Sequence, residues 1–428
     1  MSILYRHLLK QHIGSPAKPL VAQGERVMRG QLIALGEGLS ANLHASLSGE
    51  VCELNSHYIA ICGEPDSKED YIPLKSVTVL ERIKEAGIVG MGGAGFPTHV
   101  KLENAIPGGV VIANGAECEP LLAHNIRQME TRPDEIYRGL CYAMEAVKAE
   151  KGVIAVKLKH KEAIKALARV IKDPRISLFY LRDLYPMGEE RALVREISGI
   201  KLMPGQLPSS ANALIMNVET LGGIARAVEK GQPFITKNVT VAGRLKDGPK
   251  SVAFMDVPLG TPVRELIEAA GGIDEEYGEI LMGGPFTGNP VTLEDVVLKT
   301  TGGILVTMPF LKEKGKMGLL VCGCGASEKR MRKIAEQMGS EVVAVERCKQ
   351  AAQTPGGLRC ENPGICPGQA QKLLSLKRQG AEALLMGNCS DCSNTVMQAA
   401  PRLGLRVHHV TDGALRAGGL PVIRRLKA

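Results

Sequence analysis

Seven of the chain's eleven cysteines fall between Cys322 and Cys392. They read Cys322-Gly-Cys324, Cys348, Cys360, Cys366 and Cys389-Ser-Asp-Cys392. Thiols gathered in this way serve dithiol–disulfide exchange or hold a soft metal. Cys389 and Cys392 have the two-residue spacing of a redox pair and open a predicted helix, whose N-terminus favours thiolate. Asp391 between them opposes that effect. The spacing follows no standard zinc pattern and contains no ferredoxin-type run. Redox thiols, with Cys389, Cys392, Cys322 and Cys324 as reactive candidates, are therefore the preferred reading. A metal or iron–sulfur site drawn from Cys322, Cys324, Cys348, Cys360, Cys366, Cys389 and Cys392 stays open.

A second chemistry is written in glycines. Gly90, Gly92, Gly93 and Gly95 lie within Gly90-Met-Gly-Gly-Ala-Gly-Phe96-Pro. Glycine lets the backbone approach an anion, and successive N–H groups form a nest for phosphate. Lys101 follows within two helical turns and can neutralise that anion. Three further segments recur along the same stretch: Asn114-Gly-Ala-Glu117-Cys-Glu-Pro, Gly188-Glu189-Glu190-Arg, and Asn217-Val-Glu-Thr220. Paired carboxylates are out of place against phosphate. They suit the hydroxyls and ring N–H of a sugar-alcohol cofactor, which are donors.

These residues need elements to position them. Residues 1–75 read as short strands with Gly punctuation. Residues 78–230 alternate amphipathic helices with short apolar runs, the pattern of an α/β domain on a mostly parallel sheet. Asn114 follows the run GGVVIA, where α/β sheets bind ligands. Residues 235–290 read strand, turn, strand, helix. Residues 316–428 form a βα series in which Cys322, Cys348 and Cys389 each end a strand. A parallel sheet would bring those ends to one edge.

The four glycine and carboxylate motifs, in this order, resemble the NADH-binding flavoprotein subunit of respiratory complex I. They resemble still more the C subunit of the Rnf electron-transport complex and the related cobalamin reductase. The resemblance implies an α/β multidomain chain. Residues 1–75 would be a barrel-sandwich hybrid lacking a carrier lysine at the tip Gly36–Leu43. Residues 78–230 would bind FMN, 235–290 would be a β-grasp module, and 316–428 a cysteine-rich α/β redox domain. FMN would be held through Gly90, Gly92, Gly93, Gly95, Phe96, Lys101, Asn114, Glu117, Gly188, Glu189, Glu190, Asn217 and Thr220. Ala116, Met216 and Leu207 depart from the complex I pattern, which leaves NADH open as donor. Ala116 and Met216 also keep alive a scaffold that has lost its flavin. The stretch from Gly357 to Leu385 and the ending Val407–Leu426 resemble the electron-transfer protein of D-proline reductase. That likeness implies delivery to a partner reductase; a cobalamin reductase is the alternative.

Composition removes other classes. The chain has 428 residues, a net charge of +8, no tryptophan and 3% aromatics. Base-stacking platforms are therefore scarce, and nucleic acid is not expected. No apolar run is long enough to span a bilayer, although peripheral association stays open. With no secretory signal read at the N-terminus, the expectation is a cytoplasmic protein. Cys52, Cys62 and Cys141 lie in core-like patterns and are expected to be inert, with Cys118 a packing residue. His44, His408 and His409 are expected to be structural. Oligomeric state is left open.

Overall fold

The computed structural model describes residues 3–63, 70–247, 250–387 and 390–422, with the backbone alone over 390–394. The chain folds into four β-containing units. In the first, the strands Ile3–Leu8, Tyr58–Gly63, Gly49–Leu54 and Arg26–Val27 pair antiparallel in that order. A smaller sheet of Lys18–Pro19, Leu32–Leu35 and Leu43–His44 faces it. Tyr5, Ile33, Leu43, Leu47, Ile59 and Ile61 fill the space between. Cys52 and Cys62 are not inert core residues. Both are half-buried and form a disulfide across neighbouring strands, with Cys52 in a bulge of the ladder.

The second unit carries a fully parallel sheet in the order Ile176–Leu181, Lys151–Lys157, Val110–Gly115, Ala213–Asn217. From Val110–Gly115 the chain winds outward through two strands, then crosses back to lay Ala213–Asn217 on the other side. The direction reverses between those two strands, so the helices that follow them part and open a crevice at the C-terminal edge. The register sets Asn114 directly opposite Asn217 at that edge. Pro133–Val147 is a strongly amphipathic helix that starts with proline and two acids and ends on a left-handed Lys148. Its Ile136, Leu140, Ala143 and Met144 cover one face of the sheet.

The third unit is a five-stranded sheet of Ser251–Pro258, Thr236–Gly243, Gly303–Val306, Ile280–Met282 and Asn289–Val291. It reaches beyond residue 290: Gly303–Val306 fills the middle, parallel to Thr236–Gly243 and antiparallel to Ile280–Met282. The fourth is again a parallel sheet, ordered Ser340–Arg347, Gly315–Val321, Ala383–Met386, Arg406–His409. Its reversal falls between Gly315–Val321 and Ala383–Met386, beside Cys322. After Ser340–Arg347 the expected loop contains a hairpin, Ala351–Thr354 against Gly357–Cys360. Among the described residues no helix is long and apolar enough to cross a membrane.

Lys299 ties three units together. Its side chain is fully buried, and its Nζ donates to the carbonyls of Asn42 at 2.5 Å and Gly87 at 2.7 Å. Gln11 accepts from its backbone N–H. Burial pushes the ammonium down to about 7. A lysine depressed in the folded state binds fewer protons there than in the unfolded chain between about pH 7 and 10.5. Its contribution to stability therefore improves as pH rises through that window. Lys299→Met should flatten this part of the stability–pH curve measured by urea unfolding. It should also destabilise the protein by about 1–3 kcal/mol at neutral pH, because two buried carbonyls lose their donor.

Candidate functional site

The glycine-rich loop leaves the helix Val79–Ala86 and enters the short helix Thr98–Leu102. Its base is closed by a bridge between Val89 and Pro97, with the Gly90 N–H donating to the Phe96 carbonyl at 2.9 Å. Gly95, at φ +72°, lies against His12 and Thr300, and the Ile13 N–H donates to the Ala94 carbonyl at 2.9 Å. The first and third units thus brace the loop from behind.

In front, the four motifs meet. The Met91 N–H donates to Thr220 Oγ1 at 3.0 Å. A Cβ on Gly92 would lie 2.9 Å from Asn217 Nδ2, whereas one on Gly93 would meet no protein atom within 4 Å. Asn217 Oδ1 accepts from the Glu219 N–H at 2.8 Å and so caps the helix Val218–Lys230. Asn114 Nδ2 donates to the Gly188 carbonyl at 2.9 Å. Lys101 Nζ pairs with Glu190 Oε1 at 2.9 Å, both side chains partly exposed. Glu189 caps its own helix through the Ala192 N–H and pairs with Arg191. The loop, the lysine, both asparagines and Glu190 therefore border the crevice. Phe96 is partly exposed beside them, and Leu207 is mostly exposed in a separate loop.

The acidic residues divide. Glu117, at φ +21°, is half-buried; desolvation pushes its carboxyl up, and Asn125 Nδ2 donates to it at 3.0 Å. Glu119 points away from the crevice. Its carboxylate accepts from the Phe286 N–H at 2.8 Å and the Thr287 hydroxyl at 2.6 Å, and burial raises it to about 7. Glu219 forms a fully buried ion pair with Lys237 and accepts from the Asn238 N–H at 2.7 Å. Two of the motif carboxylates therefore fasten the third unit to this domain. The signal for that role was not local: it needed Lys237 and Phe286, which lie 18 and 167 residues away.

The fourth unit brings several cysteines together. Cys322, Cys324, Cys348 and Cys366 belong to one apolar cluster with Tyr185 and Phe286, whose rings stack with centroids 3.7 Å apart. Cys118 packs against the same cluster and accepts from the Gly188 N–H at 2.9 Å, so it lies between the Gly188 motif and the apolar cluster that holds the tail cysteines. Burial raises its thiol above the ordinary range. Cys360 lies at the end of the hairpin, its thiol 3.6 Å from Gln350 Oε1. Cys389 falls outside the described residues, as does the side chain of Cys392. Among the described residues no group of three or more His, Cys, Asp or Glu could hold a metal ion. His408 pairs with Glu313 and His409 with Asp412 on opposite faces of the last strand. Sequence reading missed Tyr185, Phe286 and Arg195; only Tyr185, just before Gly188, lay close to a motif.

The open space over Gly93, the cation of Lys101 and the amide groups of Asn114 and Asn217 fit a flavin phosphate and its polar side chain. Gly93→Ala should leave thermal stability unchanged, since its Cβ meets no protein atom. It should weaken FMN binding at least about tenfold by filling the cradle, a loss of about 1.4 kcal/mol. Fluorescence titration with FMN checks this.

Comparison with known proteins follows the same division. Residues 83–226 match the Nuo51 FMN-binding domain, and residues 4–67 match the RnfC barrel sandwich hybrid domain. The C subunit of the proton-translocating ferredoxin:NAD(+) oxidoreductase complex of Clostridium ljungdahlii is 35% identical over 74% of this chain and 73% of its own length. The Na(+)-translocating counterpart of Acetobacterium woodii is 35% identical over 72% and 73%. The cobalamin reductase PduS of Salmonella typhimurium is 40% identical over 54% of this chain and 50% of its own. Among solved structures, the NAD+-reducing [NiFe]-hydrogenase in the H2-reduced state aligns with a TM-score of 0.46 and 23% identity. That alignment covers 53% of this chain and 46% of the hydrogenase chain. With an FMN-binding domain of the complex I type behind a barrel-sandwich hybrid, the chain belongs to the C-subunit family of Rnf-type oxidoreductases.

Proposed function

We propose that this protein is a cytoplasmic FMN-dependent electron-transfer protein that passes reducing equivalents through its C-terminal cysteines to a partner reductase. FMN, when bound, supplies exchange of one or two electrons. Gly92, Gly93, Lys101, Asn114, Asn217 and Thr220 would hold and orient it at the reversal point of the sheet. Glu117 and Glu190 would accept from its donors. The β-grasp reading of the third unit and the redox reading of the fourth belong to this proposal. NADH is one candidate donor; the clostridial and acetobacterial relatives carry NAD(+) in their names.

The observation that carries the reading is the shared cluster of Cys118, Tyr185, Phe286, Cys322 and Cys348, which joins the crevice wall to the thiols. A receiving reductase of the D-proline type suits the tail, in which Cys-rich βα chemistry replaces ferredoxin runs. A second reading, transfer to a corrin, is favoured by the 40% identity with cobalamin reductase over 234 residues.

The test is an absorption spectrum of anaerobically purified protein after FMN addition, with iron, zinc and thiol counts on the same sample. The expected result is stoichiometric flavin with no metal. Lys101→Met should lose most of that flavin while keeping the fold. Protein that remains colourless under all FMN concentrations would sink the proposal, and turnover of cobalamin by the reduced protein would move it to the second reading.

A further inference from the structure

One loop of the tail is anchored on the flavin-type domain through Arg195. Arg195, on the helix Glu190–Ser198, donates its Nη1 to Asn362 Oδ1 at 2.7 Å and to the Pro363 carbonyl at 2.8 Å. Gly364, at φ +81°, lets the loop turn close to Met187, whose Cε would be 3.6 Å from a Cβ there. Met187 lies between Tyr185 and Gly188, in the wall of the crevice. The loop therefore runs against that wall, and Cys366 follows Gly364 by two residues.

Cys366 has a defined neighbour. Gln369 is buried, at 1% exposure, and its Nε2 lies 3.0 Å from Cys348 Sγ and 3.8 Å from Cys366 Sγ. One amide thus reaches two sulfurs from different parts of the chain. Cys348 is itself buried and fixed by its N–H, which donates to the Val321 carbonyl at 2.9 Å. Gln369 Oε1 has no hydrogen-bond partner among the described residues. A buried, unpartnered carbonyl beside two sulfurs is costly unless something donates to it.

We propose, building on the function above, that Cys348 and Cys366 are the dithiol–disulfide couple through which the tail takes up electrons, with Gln369 as their positioning residue. In the oxidised state one S–S bond joins Cys348 to Cys366. Reduction breaks that bond; two electrons and two protons enter, and two thiols form. The donor is a two-electron carrier, the reduced flavin, which gives up the same electrons. The Gln369 amide N–H donates to the sulfur on which charge develops. A two-electron step matches the capacity of a dithiol, where a cluster would take one electron at a time.

The experiment uses the full chain in two stages. Diamide oxidation followed by peptide mapping asks which cysteines pair, and needs no flavin. The Cys348–Cys366 linkage is expected, beside Cys52–Cys62. FMN-loaded, oxidised protein is then photoreduced without oxygen, and differential alkylation counts the new thiols at each site. Wild type should gain two, at Cys348 and Cys366. Cys348→Ser and Cys366→Ser should gain neither, with the bound-flavin spectrum unchanged. Gln369→Leu should keep both cysteines but slow alkylation of Cys348 several-fold at neutral pH, which lost packing alone would not do. Pairing of other tail cysteines in place of these two would overturn the proposal. So would reduced flavin with no gain of thiol, or stoichiometric metal that Cys348→Ser removes. If FMN does not bind, the functional reading fails, while the mapping still decides the pair.

Discussion

A parallel sheet cannot wind in both directions from one strand without parting the connections above it. That constraint governs this molecule twice. In the flavin-type domain it parts the chain between Val110–Gly115 and Ala213–Asn217 and faces Asn114 toward Asn217. In the tail it does the same between Gly315–Val321 and Ala383–Met386, next to Cys322. Both openings follow from topology before any side chain is chosen. The side chains then specialise the openings, one with glycines and amides, the other with sulfur.

The flavin-type domain is joined to the third unit by fixed polar contacts, some of them drawn from its own motifs. Glu219 lies in the segment that closes the crevice, yet its carboxylate is spent on Lys237 and the Asn238 N–H. Asp256, at φ +59°, receives both Arg132 and Arg226, which hold its carboxyl down at about 2. Glu119 crosses to the loop at Phe286. A buried ion pair is weak testimony for net stability, but removing one partner leaves an uncompensated charge, so such pairs tolerate only one arrangement. The third unit thereby fixes where the motif segments point.

Much of this was legible in the residues. The amphipathic and apolar periods placed the α/β domain, and the glycine loop with its lysine marked the crevice. Convergence of Cys322, Cys324 and Cys348 followed from strand ends sharing an edge, and Cys366 joins them from the loop that leaves it. Other features were not local. Glycine and carboxylate spacing cannot reveal that Glu119 and Glu219 turn outward, because their partners lie in another unit. Gly303–Val306 completes its sheet from beyond the expected limit, since a central parallel strand must arrive by a long crossover. Cys52 and Cys62 read as core residues by pattern, but a bulge displaces Cys52 toward its neighbour.

The seat of the tail on Arg195 has a further character. Its acceptors are an amide oxygen and a backbone carbonyl, which carry dipoles and no net charge. Attraction between a charge and a dipole falls away faster with separation than attraction between two charges. The joint therefore grips only when seated and exerts little pull from a distance. Dissolved salt, which screens opposite charges across solvent, has little to act on here. The contact behaves as a latch that is tolerant of ionic strength, closed by fit rather than drawn shut by field.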